Sequence, residues 1–442
     1  MAHSLDLDDP AGDDDFGRQV LRKVSWRLVP FLCLLYIFNI LDRANVGFAR
    51  LTMQADLGLS KEAFDFGYGL FYAGYLLFEV PSNLLMRRFG ARLWIARIMV
   101  VWGIVSAATM FAWDATSLYV FRVLLGIAEA GFFPGIILYL TYWYPARERA
   151  GVTAFFMTAI GLASMIGNPI SGAIMDHLHD RGGWHGWQWL FLLEGIPSVL
   201  LGIAVLYLLP DTPADASWLE PKEKEWLSKR LSEETREVER SHDSSHLLAM
   251  LNWRVWWLIC LYFTVAVGAN AFGAYSPTLI KDHFRDADYF TTGLIAALPH
   301  LCAVIAMTLI GMNSDRTGER AFHVAFSALL AAIGWSLVTY AGISPQTVES
   351  PWIAVAGLCL AQAGMMSMLP TFWSLPTTFL TGVGAAAGIA LINSVANIGG
   401  IVGPLILGTY GPWSMTAILG AGVIMAAFFP VPEKKEWSAA NE

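Results

Sequence analysis

Charge is what this chain has least of. Asp, Glu, Lys and Arg make up 14% of its 442 residues, against about 25% in a soluble domain. Hydrophobic residues make up 56%, and the mean hydropathy is +0.51. The deficit excludes a large soluble enzyme with apolar core helices, because such cores do not give repeated runs of roughly 20 apolar residues. Cysteine is also scarce. Cys33, Cys260, Cys302 and Cys359 all fall inside apolar runs and read as small buried hydrophobes. No disulfide framework and no metal-ligand spacing follows from them. The chain carries no Ser/His/Asp array and no Gly-x-x-x-x-Gly-Lys-Ser/Thr loop. An enzyme, a nucleotide-driven pump and a need for any cofactor are therefore not expected. A nucleic-acid partner is not expected either, and the net charge is −8.

What is present is a series of long apolar runs. They cover 27–48, 64–86, 92–112, 116–141, 151–176 and 188–209, then 253–280, 291–312, 321–341, 352–380, 384–408 and 412–431. The pattern predicts an all-α membrane protein of twelve transmembrane helices in two six-helix bundles, 27–209 and 253–431. Residues 1–26 read as a disordered tail, with Asp6, Asp8, Asp9, Asp13, Asp14 and Asp15 clustered in it. A cleavable signal would be basic where this tail is acidic. Residues 210–252 form a polar linker and 432–442 a second tail. Lys222–Glu239 carries charges on most turns and reads as a short amphipathic helix at the membrane face.

Basic residues give the orientation. Of 28 Lys and Arg, five (Arg50, Lys61, Arg181, Lys281, Arg285) fall on the side opposite the linker, and Arg43 and Arg122 lie within spans. The positive-inside rule then places the tails and the linker in the cytoplasm, with the protein in the cell membrane.

Two features repeat. Gly311-Met312-Asn313-Ser314-Asp315-Arg316-Thr317-Gly318-Glu319-Arg320 follows the eighth run, and Asn83 to Arg92 follows the second. Gly90 aligns with Gly318, Arg88 with Arg316 and Arg92 with Arg320. Glycine and proline recur in the fifth run (Gly167, Pro169, Gly172) and the eleventh (Gly399, Gly400, Gly403, Pro404). Equivalent signals in two halves imply duplication, and transporter repeats enclose a site near the bilayer midplane.

Residues 311–320 match Gly-x-x-x-Asp-Arg-x-Gly-x-Arg at every fixed position. That is the loop signature of the major facilitator superfamily, which the chain resembles. The first copy departs, with Asn83 for Gly and Arg87 for Asp. Asp315 is expected to cap a neighbouring helix while Arg88, Arg92, Arg316 and Arg320 hold the cytoplasmic ends together; simple surface anchoring stays open. Within the superfamily the chain is similar to the anion:cation symporter family over nearly its whole length. The carrying stretches are Leu41–Ala49, Phe78–Asn83, Glu129–Gly135, Gly186–Phe191, Phe372–Pro376 and Asn393–Gly400. They look most like the tartrate and sugar-acid branch. The resemblance implies proton-driven uptake of an organic anion by alternating access.

Charge inside spans marks the candidate site, because a charged side chain at a span centre costs about 2.5–3.5 kcal/mol on insertion scales. Arg43 is the leading anion anchor, since guanidinium pairs bidentately with carboxylate. Glu129 is the leading proton carrier. Arg122 lies seven residues earlier, about two turns along the same face. A switch follows in which ionised Glu129 pairs with Arg122 and neutral Glu129 releases it. The resemblance implies proton coupling at Asp42 and Glu129 with Arg122 as partner, and places Tyr75 in the lining of the substrate cavity. Trp373, Ser374, Asn393 and Asn397 are substrate-contact candidates on the other half. Asn393 and Asn397 share a helix face, and interhelical polar contact is the alternative for them. Permanent structural ion pairs remain an alternative for Arg43, Arg122 and Glu129. Glu79 and Glu194 read as interhelical contacts, His300 as a packing residue. Metal binding by His177, His179 and His185 is not expected.

The expected function is symport of a tartrate-like hydroxydicarboxylate or a sugar acid with protons, by a protein working as a monomer in the lipid bilayer. An organic-anion exchanger and a symporter of an aromatic carboxylate are the alternatives.

Overall fold

The computed structural model describes residues 10–157, 159–240, 252–343, 350–376 and 382–429. Every named element is a helix. In the first half these are α1 (Pro10–Asp56), α2 (Lys61–Phe89), α3 (Ala91–Ala108), α4 (Ala115–Glu129), α5 (Phe132–Thr141), α6 (Ala146–Met157), α7 (Ala159–His177) and α8 (Gly186–Leu208). The linker contributes α9 (Pro221–Arg240). The second half has α10 (Trp253–His283), α11 (Tyr289–Thr317), α12 (Arg320–Ile343), α13 (Ser350–Phe372), α14 (Gly382–Asn397), α15 (Gly399–Tyr410) and α16 (Pro412–Ala427).

Ten spans among the described residues are long and apolar enough to cross a membrane. Lys61–Phe89 carries charges at both ends, and Pro412–Ala427 has only 16 residues. With these two, the twelve spans of the sequence pattern are accounted for. Large apolar side chains face outward along them, among them Leu77, Val80, Leu200, Leu309 and Ile424. Such a surface is at rest in lipid tails and not in water. The interior holds the largest rings, with Trp102, Trp143, Trp187 and Trp335 fully buried.

One expected boundary changes. α1 begins at Pro10, so the segment to residue 26, expected as disordered tail, is helical. Its partner is the linker helix. Lys23 Nζ donates to Glu223 Oε2 at 2.7 Å, and Phe16 meets Trp226 edge to face at 6.3 Å. Asp6, Asp8 and Asp9 and the C-terminal tail lie outside the described residues.

Within each half, close approach of helices depends on glycine. A Cβ on Gly126 of α4 would fall on the carbonyl oxygen of Phe71 and within 2.9 Å of the Tyr75 nitrogen, both on α2. Backbone cannot yield as a side-chain tip can. Gly126→Val is therefore expected to cost at least the 1–3 kcal/mol typical of overpacking and to lower the melting midpoint in detergent. Gly151, where an added Cβ would meet nothing within 4 Å, is the control: Gly151→Ala is expected to leave that midpoint unchanged.

Among the described residues the halves meet mainly through three helix pairs, α1 with α10, α2 with α15 and α7 with α11. The described polar contacts across these pairs lie toward the end opposite the linker. Asp176 at the end of α7 accepts from the Tyr289 and Phe290 N–H groups at 3.0 and 2.6 Å. An acid from one half thus caps a helix N-terminus of the other. Asn168 Nδ2 donates to the Ala296 carbonyl at 3.1 Å. Arg50, buried, donates to Asp65 Oδ1 at 2.6 Å and to the Tyr275 hydroxyl at 2.8 Å, and Tyr275 donates to Asp65 Oδ2 at 2.5 Å. This three-way bond ties α1 and α2 to α10.

Breaking a buried ion pair by removing one partner costs about 3–5 kcal/mol. The closure at this end is expected to loosen in Asp65→Ala. A cysteine introduced at Gly273, whose Cβ position lies 3.7 Å from the Tyr68 hydroxyl, reports it. Its alkylation from the face opposite the linker is expected to speed up at least tenfold over the same cysteine with Asp65 intact. An unchanged rate would show that the three-way bond does not hold the halves shut.

Candidate functional site

The first half concentrates its buried charge where α1, α2, α3 and α4 converge. α4 stops at Glu129, because Gly131 takes a left-handed conformation (φ 85°) before α5 restarts at Phe132. The break leaves Glu129 at a helix end inside a span. Its side chain is fully buried. Arg43 Nε donates to Glu129 Oε1 at 2.5 Å, and Asn39 Nδ2 donates to the same oxygen at 2.7 Å. Glu129 Oε2 is buried with no described partner.

Arg43 differs from its partner in access. Its side chain is 27% exposed while that of Glu129 is 0%. Glu129 engages Nε, so the two terminal nitrogens are not used by this ion pair. The guanidinium carbon stands 5.0 Å from the Tyr75 ring centre and 5.4 Å from that of Phe71. Tyr75 thus stands beside Arg43. Glu79, one turn further along α2, is buried and within electrostatic range of Arg43.

Arg122 is not bonded to Glu129 here; the partner of Glu129 is Arg43. Arg122 is 2% exposed and lies over Phe71 at 5.0 Å and Tyr68 at 5.5 Å. Its Nε and Nη1 are buried without a described partner. The pairing expected from seven-residue spacing is displaced because α4 ends at Glu129 and Arg43 approaches from α1. Glu129 remains within electrostatic range of both arginines.

Asp42 turns away from Arg43, as neighbours about 100° apart on a helix do. It is 1% exposed and accepts three hydrogen bonds: from Asn45 at 3.1 Å, from Ser106 at 2.5 Å and from the Trp102 indole. No described cation bonds to it.

In the second half, Trp373 packs edge-on against Tyr262 at 4.9 Å, and Tyr262 stacks on Phe372 at 4.8 Å. Tyr36 of the first half stacks on Phe156 at 4.5 Å. Ser374 donates to the Thr371 carbonyl at 2.7 Å. Asn393 and Asn397 are half-buried on α14, on the helix that leads into the α2 contact. His300 is a packing residue, edge to face with Phe272 at 5.8 Å and 3.4 Å from Gln362 Nε2.

The repeated loops behave differently from one another. Asp315 pairs with Arg320 at 2.6 Å inside its own loop, and Arg320 also donates to Ser314 at 3.0 Å. Asp315 therefore does not cap a neighbouring helix in this arrangement. Gly318 ends α11 in the left-handed region at φ 74° and Gly311 lies beside Pro370, while Arg316 is exposed. In the first copy, Asp211 replaces the missing acid: it accepts from the Arg92 N–H at 2.8 Å and sits beside Gly90, with Arg92 Nε at 3.7 Å. Arg88 lies over Phe89. Asp211 comes from the end of the sixth span, and no local pattern pointed to it.

Sequence reasoning also missed Asn39, Trp102, Ser106, Tyr36 and Tyr262. Asn39 was findable, being one turn before Arg43. Trp102 and Ser106 have no such signal, since an apolar span carrying Trp and Ser is ordinary.

A family model described as Major Facilitator Superfamily matches residues 32–404. A protein of Agrobacterium vitis named "Putative tartrate transporter" is 47% identical over 396 residues, 89% of this chain and 86% of that one. The "Putative metabolite transport protein NicT" of Pseudomonas putida is 45% identical over 399 residues, covering 90% and 89%. Among solved structures, a partially occluded inward-open xylose transporter XylE of E. coli superposes with a TM-score of 0.71 at 18% identity, over 93% of this chain and 98% of that one.

Proposed function

The chain belongs to the Major Facilitator Superfamily, and from that premise we propose that it imports a small organic anion together with protons. The substrate class is a tartrate-like hydroxydicarboxylate or a sugar acid. The site of action is the cell membrane, with the linker and both ends of the chain in the cytoplasm and one chain sufficing for transport.

One observation carries the reading. A partly exposed arginine, Arg43, is paired at 2.5 Å with a fully buried acid, Glu129. An anion arriving at Arg43 competes with Glu129 for the same guanidinium. A proton on Glu129 removes its charge and frees Arg43 for the substrate. Proton and anion then favour each other's binding, which is the linkage symport requires. When the proton leaves toward the cytoplasm, Glu129 reclaims Arg43 and the anion is expelled. Arg122, buried without a full set of described partners, is the second cation available to Glu129 or to a second carboxylate of the substrate. The aromatic wall of Tyr36, Tyr262 and Trp373 suits the carbon skeleton, and Asn393 and Asn397 suit its hydroxyls. The names of the relatives at 47% identity support the tartrate class.

Asp42 and Glu129 set a ceiling of two protons. A dianion moving with two protons is electroneutral; a monoanion with two moves positive charge inward, worth about 2.3 kcal/mol per 100 mV. The test is uptake of labelled tartrate into proteoliposomes. Symport predicts accumulation into empty vesicles under an inward proton gradient. Accumulation only into vesicles preloaded with anion, whatever the gradient, would establish exchange instead.

A further inference from the structure

One face of α1 is exposed at every fourth residue: Arg18, Arg22, Trp26 and Pro30. Four residues make about one helical turn, so these four line up from the linker end toward the apolar part of the span. The order is cation first, then an indole, then an apolar ring. A helix that enters a bilayer from water reads this way, with its cation at headgroup depth and Trp at the interface. Arg18 pairs with Asp15, and Lys23 donates to Glu223 at 2.7 Å. Among the described residues Arg22 has no ion-pair partner.

The stripe opens onto a groove. Arg22, Trp26, Val29 and Pro30 of α1 face Val152 and Phe155 of α6 across a space of about 380 Å³. Two contacts frame it. On the linker side the Ser25 hydroxyl lies 3.0 Å from that of Tyr144. Deeper in the span Tyr36 of α1 stacks on Phe156 of α6 at 4.5 Å. Between these contacts the helices stand apart, for a Cβ on Gly151 would meet nothing within 4 Å. Trp26 and Phe155 are 73% and 60% exposed. Ser25, which also lines the groove, is spent on Tyr144 and on the Leu21 carbonyl at 2.8 Å. Arg22 is therefore the polar side chain of the lining that a ligand can use.

We propose that this groove binds one anionic phospholipid from the membrane face that carries the linker. Its phosphate sits on Arg22, since guanidinium pairs bidentately with phosphate, and part of one acyl chain lies between α1 and α6. Charge selects the headgroup. Arg22 and Arg27 are exposed cations with no described acid against them. Glu148, on the first turn of α6, is exposed and forms no described ion pair with Arg22. Unpaired positive charge at the membrane surface favours a net negative lipid over a zwitterionic one. The linker helix reaches both walls of the groove. Glu223 accepts from Lys23 of α1, and Glu234 accepts from the Ala146 N–H at the start of α6 at 3.0 and 3.1 Å. The lipid completes packing that protein side chains leave open beneath this strap, and by binding the folded chain it stabilises it. The site is independent of which anion is carried.

Titration of the purified full-length protein, stripped of lipid in detergent, tests the site. Phosphatidylglycerol and phosphatidylcholine are added in parallel. Native mass spectrometry counts the lipid bound, and a thermal melt reads its effect on the fold. One tightly held phosphatidylglycerol per chain is expected, with a melting midpoint that rises and then saturates. Phosphatidylcholine is expected to bind roughly tenfold more weakly or worse. Arg22→Ala is expected to weaken phosphatidylglycerol binding by roughly tenfold or more. Arg27→Ala removes the same charge from another face of α1, and is expected to cost about fivefold at most, the diffuse attraction of one basic residue. Gly151→Leu places a side chain in the open groove. It is expected to block binding while leaving the lipid-free midpoint unchanged, which shows that the fold survives. Equal losses in Arg22→Ala and Arg27→Ala would show diffuse attraction and overturn the proposal. Full binding in Gly151→Leu, or equal binding of the two lipids, would overturn it as well.

Discussion

Arg43→Ala is expected to abolish uptake of the organic anion. Arg43 is the partly exposed cation of the site and stands beside Tyr75 and Phe71. Truncating one member of a buried, hydrogen-bonded charge pair costs about 2–5 kcal/mol, or roughly thirty-fold to a few thousand-fold in affinity. The cost here falls twice. The substrate carboxylate loses its fork of donors, and Glu129 loses the partner that compensates its burial. Arg43→Lys separates the two. It keeps the charge near Glu129 but offers no planar fork, so folding is expected to survive while affinity falls between the two extremes. Calorimetric titration of purified protein with tartrate measures each. Near-normal affinity in Arg43→Ala would remove Arg43 from the binding site.

Glu129→Gln is expected to uncouple transport without stopping it. Glutamine keeps an oxygen for Asn39 and for Arg43 Nε but cannot ionise, so it imitates the protonated acid permanently. A pH difference of one unit is worth about 1.4 kcal/mol per coupled proton, which is tenfold accumulation. That factor is expected to vanish for the proton Glu129 carries. Exchange of labelled for unlabelled anion across the membrane needs no net proton movement and is expected to continue. Full accumulation in this variant would place the coupling proton elsewhere, with Asp42 the next candidate.

The fold was largely legible because membranes make legible demands. Every backbone polar group must be satisfied within its own helix, so apolar runs of span length announce themselves, and the repeated loop and its family resemblance gave the rest. α2 and α16 show the limit of hydropathy alone, one interrupted by charges and the other short. The charged residues of the site were legible for a related reason: Asp42, Arg43, Arg122 and Glu129 stand out where charge is costly. Their pairing was not. Spacing along one helix suggested Arg122 for Glu129, whereas the break at Gly131 and the approach of α1 give it Arg43. Which neighbour wins is a matter of how helices pack, and that is not written locally. The same holds for Asp211, which takes the place of the acid missing from the first loop, and for Trp102 and Ser106 around Asp42. Polar residues of ordinary type become a site only when helices bring them together. Residues 10–26 carried a misleading signal. Their acidic composition suggested disorder, but the linker helix supplies the partner that orders them.

The measurement closest to the central claim is external pH in a weakly buffered suspension of cells producing the protein, pulsed with organic anions including both tartrate enantiomers. Alkalinisation on adding an anion, diminished per anion in Glu129→Gln, is the predicted result, because protons enter with the substrate and Glu129 carries one of them. Uptake of that anion with no change in external pH would contradict proton coupling.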